Sequence, residues 1–273
     1  MKHKWIIIVT GLVVGVLAIA LTIWGNPANM GFCIACFLRD IAGGLGLHRA
    51  AVVQYLRPEI IGLGLGAMII ALATGEFKAR GGANPLRRFV LGFLMMIGAL
   101  AFLGCPLRMI LRLAGGDLNA LIGLFGFIAG ILVGIAALKS GYNPGRAVPQ
   151  AKSTGFVYPV ILIALLAALL LRPDFIFFSE SGPGSLTAPI IAALAAGLLV
   201  GAFAQRSRLC MAGGIRDTFL IKDAHLLWGF VAIFVAALAG NLILSKFNLS
   251  FAGQPVAHSQ HLTGKAQIEL AQN

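Results

Sequence analysis

Residues 25–46 read Gly25-Asn-Pro-Ala-Asn-Met-Gly-Phe-Cys33-Ile-Ala-Cys36-Phe-Leu-Arg39-Asp40-Ile-Ala-Gly43-Gly-Leu-Gly46. Glycine and proline bracket the stretch. The run between them, Gly31 to Leu38, is too short to cross a bilayer, which takes about 20 residues of helix. It therefore reads as a re-entrant half-helix following a long apolar span. Irregular backbone at membrane depth survives only where protein or a water-filled cavity satisfies its amides, so such an element lines a path. Its core, Cys33-Ile-Ala-Cys36-Phe-Leu-Arg39-Asp40, recurs as Cys210-Met-Ala-Gly213-Gly-Ile-Arg216-Asp217, an offset of 177 from residue 33 to residue 210. Each copy lies just after a long apolar span, 5–24 or 187–204, and residues 208–222 repeat the broken-helix design. The matching contexts argue for internal duplication.

The composition agrees with a membrane setting. Of 273 residues, 59% are hydrophobic and only 11% charged, with a mean hydropathy of +0.94. A soluble domain carries about 25% charged residues, and a disordered chain combines low hydrophobicity with high net charge. Both classes are excluded. The net charge of +12 would point to nucleic acid in a soluble protein. Here the basic residues fall in short loops, with no basic patch interleaved with aromatics. The lipid bilayer is the expected environment, and no nucleic-acid partner is expected.

Charge-free segments place spans at 5–38, 60–75, 89–107, 118–138, 153–171, 181–205 and 224–245. Segment 60–75 is short, and either recruits Ala51–Val53 or packs inside the bundle. The first span is not a cleavable signal, since its apolar run continues through Ile23 without a small-residue cleavage site. Lys2 and Lys4, then Lys78, Arg80, Arg87 and Arg88, then Lys139, Arg146 and Lys152 mark one side as cytoplasmic, with the N-terminus inside. Span one then runs outward and span six inward, so the repeats are inverted, an arrangement recurrent in transporters. The expected fold is an all-α polytopic membrane protein of about seven transmembrane helices plus re-entrant half-helices. The expected divisions are a first repeat at 1–152, a linking helix and loop at 153–180, a partial second repeat at 181–248 and a polar tail at 249–273.

Between spans three and four, Gly104-Cys105-Pro106-Leu107-Arg108 interrupts the chain, and the element ends at Gly115-Gly116-Asp117. Proline suits the first helical turn, where its missing N–H costs nothing. That places Cys105 at the cap, beside free amides and the positive end of a helix dipole, which favour anions. All four cysteines, Cys33, Cys36, Cys105 and Cys210, fall in the interrupted elements. Arg39, Arg108 and Arg216 accompany them, and Arg112 shares a helical face with Arg108 at i, i+4. A lone membrane cysteine is ordinarily a small apolar filler, and an arginine near a helix end ordinarily snorkels to the interface. The shared placement argues for a function instead. Zinc is disfavoured, because the second copy has Gly213 in place of Cys36, and no cofactor is expected. Asp40, Asp117 and Asp217 read as structural partners, and no nucleophile–base pair is evident.

Gly31-Phe-Cys33, Gly104-Cys105-Pro106-Leu107-Arg108 and Arg208-Leu-Cys210-Met-Ala-Gly213 resemble the signatures of the YeeE/YedE family of bacterial inner-membrane sulfur-compound transporters. Residues Gly25–Asp40 are most similar to its YedE branch, linked to selenium metabolism. The resemblance covers roughly 5–262. It implies an hourglass-shaped bundle that passes thiosulfate or a related sulfur- or selenium-containing anion through Cys33, Cys105 and Cys210. Cys36, Arg39, Arg108 and Arg216 then play supporting roles, and a small cytoplasmic TusA-like sulfur-carrier protein is the implied partner. A thiol, a weak donor and soft acceptor, can hold such an anion without trapping it. The family's second Gly-Cys-Pro-Leu-Arg element would fall at residue 282, past the last residue, so a truncated frame is expected. The rival reading is a membrane thiol–disulfide oxidoreductase using Cys33 and Cys36. A non-catalytic scaffold is a third, which leaves the repeated Cys/Arg elements unexplained.

Overall fold

Asp117 closes one broken element and Lys139 ends the next apolar run; between them Leu118–Lys139 forms a single helix whose first turn is capped by the Asp117 carboxylate on the Asn119 N–H. The same logic of apolar run, cap and stop shapes the rest of the chain. The computed structural model describes residues 2–82, 84–143, 145–252 and 254, with side chains from Trp5 onward. Among these, ten helices are found: α1 Lys2–Ile23, α2 Ile34–Gly44, α3 Pro58–Ala73, α4 Pro85–Ala101, α5 Pro106–Ala114, α6 Leu118–Lys139, α7 Lys152–Leu171, α8 Ile190–Ser207, α9 Met211–Ile221 and α10 Leu227–Ile243. Two short strands, β1 Arg80–Gly81 and β2 Val148–Pro149, pair antiparallel.

Five stretches are long and apolar enough to cross a membrane: Trp5–Ile23, Pro85–Ala114, Leu118–Lys139, Lys152–Leu171 and Ile190–Ile221. Pro58–Ala73 and Leu227–Ile243 are shorter apolar helices. The protein is an all-α polytopic membrane protein. Two of the long stretches are a helix followed by a half-helix, broken at a non-glycine residue with positive φ: Leu103 (60°) between α4 and α5, and Arg208 (58°) between α8 and α9. Such backbone costs about 1–3 kcal/mol per residue and persists only where its surroundings enforce it.

Two close helix pairs form the scaffold, α3 with α8 and α1 with α10. Both are glycine seams. A Cβ on Gly11 of α1 would overlap the Gly229 carbonyl of α10, and one on Gly201 of α8 would overlap the Leu63 carbonyl of α3. In lipid, where apolar burial gives helices no preference for each other, this close backbone approach supplies the association. The seams also extend the repeat beyond the cysteine motif. Gly11-Leu-Val-Val-Gly15 in α1 matches Gly197-Leu-Leu-Val-Gly201 in α8. With α1 equivalent to α8, α2 to α9 and α3 to α10, the pair α1–α10 corresponds to the pair α8–α3, so each half supplies one helix to each seam.

Several sequence boundaries shift. The segment 5–38 divides into α1 and the start of α2, since the chain turns at Gly25 (φ 114°). α4 begins at Pro85, with Arg87 and Arg88 in a first turn capped by Asn84. α3 starts at Pro58, whose ring fixes the helix start, and residues 51–53 lie in a turn, so Ala51–Val53 is not recruited. The start of the expected polar tail is docked: Leu118 N–H donates to Ser250 O at 3.2 Å, and Gln254 Nε2 donates to Asn248 O at 2.7 Å. Residues 253 and 255–273 lie outside the described residues.

Candidate functional site

Cys33 and Cys105 each stand one residue before a half-helix. Cys33 is the N-cap of α2, and its sulfur accepts the Cys36 N–H at 3.4 Å. Cys105 is the N-cap of α5, followed by Pro106. Its sulfur accepts no capping bond, so the first amides of α5 are left open beside it. The positive ends of two half-helices therefore converge on the thiols. Cys33, Cys36 and Cys105 lie in one buried cluster. All are free thiols, and Cys33 and Cys36 are 0% exposed, packed with Met30, Phe37, Leu56 and Ile60.

Arg108, one turn into α5, completes the group. It is 1% exposed. One terminal nitrogen donates to the Cys36 sulfur at 3.1 Å and to the Leu103 carbonyl left free by the break after α4. Its Nε and other terminal nitrogen have no partner among the described residues. The two other buried arginines differ: Arg57 is held by Asp40 at 2.8 Å and Arg112 by Asp117 at 2.6 Å. Arg108 forms no ion pair among the described residues. An uncompensated buried charge costs several kcal/mol, and an anion placed between Arg108 and the thiols would remove that cost. A cavity of about 400 Å3 opens beside Cys105, lined by Met95, Phe102, Gly104, Met109 and Phe127.

Cys210 is placed elsewhere. It caps α9, accepting the Gly213 N–H at 3.3 Å, but it is exposed. It lines a separate cavity of about 460 Å3 with Ile131, Gly134 and Leu138 of α6 and with Arg216. Of the three cysteines, the structure thus brings Cys33 and Cys105 into one buried cluster and places Cys210 outside it. The reason is the neighbour each half-helix finds: α2 packs against α3 and α4 and meets Arg108 of α5 through Cys36, whereas α9 lies against α6 and α10, and Met109, Ile110, Met211 and Ile215 pack as one apolar cluster. Cys36, expected to be secondary because its repeat partner is Gly213, instead holds the Arg108 contact. Arg39 and Arg216 pair with their own neighbours, Asp40 and Asp217, each at 2.8 Å.

Sequence reasoning missed Arg57 and Glu59. Arg57 is fully buried, stacked on Phe37 with 4.6 Å to the ring centre, and its donors reach Leu186 O and Pro183 O as well as Asp40. A charged pair immediately flanking Pro58, at the mouth of an apolar run, was the available signal. No group of three or more His, Cys, Asp or Glu side chains among the described residues could hold a metal ion. No family model matches the chain, and no curated protein matches it.

Proposed function

We propose that the protein is a transporter of the bacterial inner membrane, N-terminus inside, that moves a sulfur- or selenium-containing anion of the thiosulfate type without transforming it. The observation that carries this reading is Arg108: a buried guanidinium with, among the described residues, two unfilled donors and no acid, set beside Cys36 where Cys33 and Cys105 cap two half-helices. Positive charge and helix N-termini select an anion, and thiols select one with a soft atom while releasing it readily. Cys210 and Arg216 then form a second station, on the other stretch of α6. Arg39 supports the first by holding Asp40. The motif resemblance to YeeE/YedE proteins adds the cargo class, and a TusA-like sulfur carrier is the partner it brings for cytoplasmic hand-over. Burial of Cys33 and Cys36 argues against the oxidoreductase alternative, because disulfide exchange with protein clients needs accessible sulfur.

The test is uptake by the 273-residue chain in proteoliposomes. Labelled thiosulfate should enter at least tenfold faster than sulfate, which has the charge without the soft atom, and Cys105→Ser should abolish the difference. Equal rates for the two anions, or no uptake of either, would overturn the reading. Growth of a sulfur-assimilation mutant on thiosulfate, beside labelled selenium uptake by the same cells, assigns the cargo.

A further inference from the structure

Glu59 mirrors Arg108 with opposite sign. Three acids are buried among the described residues: Asp40 is held by Arg39 and Arg57, Asp117 is held by Arg112, and Glu59 forms no ion pair. Glu59 is 1% exposed. Its Oε1 accepts a hydrogen bond from Asn26 Nδ2 at 2.5 Å, while Oε2 has no partner among the described residues. Arg57, two residues earlier, is already committed to Asp40, Leu186 O and Pro183 O. A carboxylate stripped of water and left with one neutral donor is costly, whereas the neutral acid is not. The site fits a carboxyl group that gains and loses a proton.

Its neighbours connect it to the thiols. Asn26 lies in the connection from α1 that ends at Cys33; its amide donates to Glu59 while its oxygen accepts the Ala188 N–H at 2.8 Å. Ile60, the next residue, packs in the same apolar group as Cys33 and Cys105. The charged and titratable groups around Glu59 are Asp40 from α2 and Tyr55 and Arg57 from the segment leading into α3. Asp40 is shared by Arg39 and Arg57, and neither arginine bonds to Glu59. A change of charge at Glu59 acts directly on its hydrogen-bond partner, Asn26, and on the connection that residue anchors.

We propose that Glu59 is a proton-binding site that couples the anion to a proton, so that both cross together. In each cycle the carboxylate takes one proton from the outer solution and gives it up on the inner side, with no bond to the cargo and no redox change. The proposal rests on the transport reading above.

The test uses the 273-residue chain in proteoliposomes with the membrane potential clamped at zero. For one proton per anion, a pH one unit lower outside should concentrate labelled thiosulfate about tenfold inside, since one pH unit corresponds to a factor of ten. Glu59→Gln should lose that accumulation yet still exchange internal for external thiosulfate at equal pH, and Glu59→Asp should keep it. Unchanged accumulation by Glu59→Gln, or wild-type accumulation indifferent to the gradient, would overturn the proposal. Infrared difference spectra of the purified protein give a readout independent of transport. A protonated-carboxyl band that is absent in Glu59→Gln and fades as pH rises supports the site; its absence at every pH at which the protein is folded overturns it. Failure of wild type to exchange thiosulfate defeats the transport reading instead, and the infrared band then decides Glu59 alone.

Discussion

The half-helices α2 and α9 share a motif, a length of 11 residues and a thiol cap closed by the same amide contact, at 3.4 Å in one and 3.3 Å in the other. Their chemistry nonetheless diverges. Cys33 is enclosed, clustered with two other thiols, and Asp40 is locked to Arg57. Cys210 is exposed, and among the described residues the Asp217 side chain meets only the arginine beside it. The motif fixes local backbone; the neighbouring helix decides what the motif does. α2 shares a buried cluster with the Cys105 cap of α5, and α9 faces a cavity along α6.

Removing the guanidinium from each half should break the equivalence most sharply. Arg108→Met is expected to lower thiosulfate uptake by about 10²–10³-fold, the loss typical of one preorganised donor to a developing or bound anion. Its melting temperature should hold or rise, because an unpaired buried charge is lost. Arg216→Met, at an exposed pair worth about 1 kcal/mol or less, should cost no more than about fivefold. Equal losses in the two variants would show that the halves act alike.

Next in size is the acid of each motif. Asp40→Asn leaves Arg57 buried without its counter-charge and should destabilise by about 3–5 kcal/mol, while Asp217→Asn should stay within about 1 kcal/mol. Denaturation in detergent measures both.

The glycine seams should instead show the halves as equals. Gly11→Ala and Gly197→Ala each drive a methyl into a partner carbonyl, for about 1–3 kcal/mol. Gly130→Ala, with open space around the added carbon, should change stability by no more than about 0.5 kcal/mol. A large loss at Gly130 would place an unseen neighbour on α6. The mildest effect is a labelling order: N-ethylmaleimide should modify Cys210 in the folded chain and reach Cys33 and Cys36 only on unfolding, as read by mass spectrometry.

The sequence spoke most clearly where charge bounds an apolar run. Segments 118–138 and 153–171 became helices Leu118–Lys139 and Lys152–Leu171, and Cys105 stands at the cap that Pro106 implied. What periodicity could not reveal was contact between distant segments. Nothing local to Arg108 says that Cys36 will meet it or that no acid will, and nothing local to Arg57 announces Asp40. Gly11-Leu-Val-Val-Gly15 and Gly197-Leu-Leu-Val-Gly201 were legible as a second repeat, but their offset of 186 differs from the 177 of the cysteines, so no single shift aligns both. Most of the difference is taken up by the longer connection between α1 and α2, which is where Asn26 sits, and the rest by the longer end of α1.

The two-residue ladder of β1 and β2 sets Arg80 against Pro149 and Gly81 against Val148, and Gln150 N–H reaches Ala79 O at 2.9 Å. The chain thus leaves the scaffold and returns to it at one point, and everything between, α4 to α6, is an excursion with its ends tied. Splicing Gly81 to Val148 would leave α1–α3 and α7–α10 on continuous backbone, with both glycine seams untouched. It would also remove Cys105 and Arg108 and uncover Cys33. The clasp ties only the backbone, however: α5 is packed into the core against α10 and α1, so the thiol site and the scaffold's core would open together.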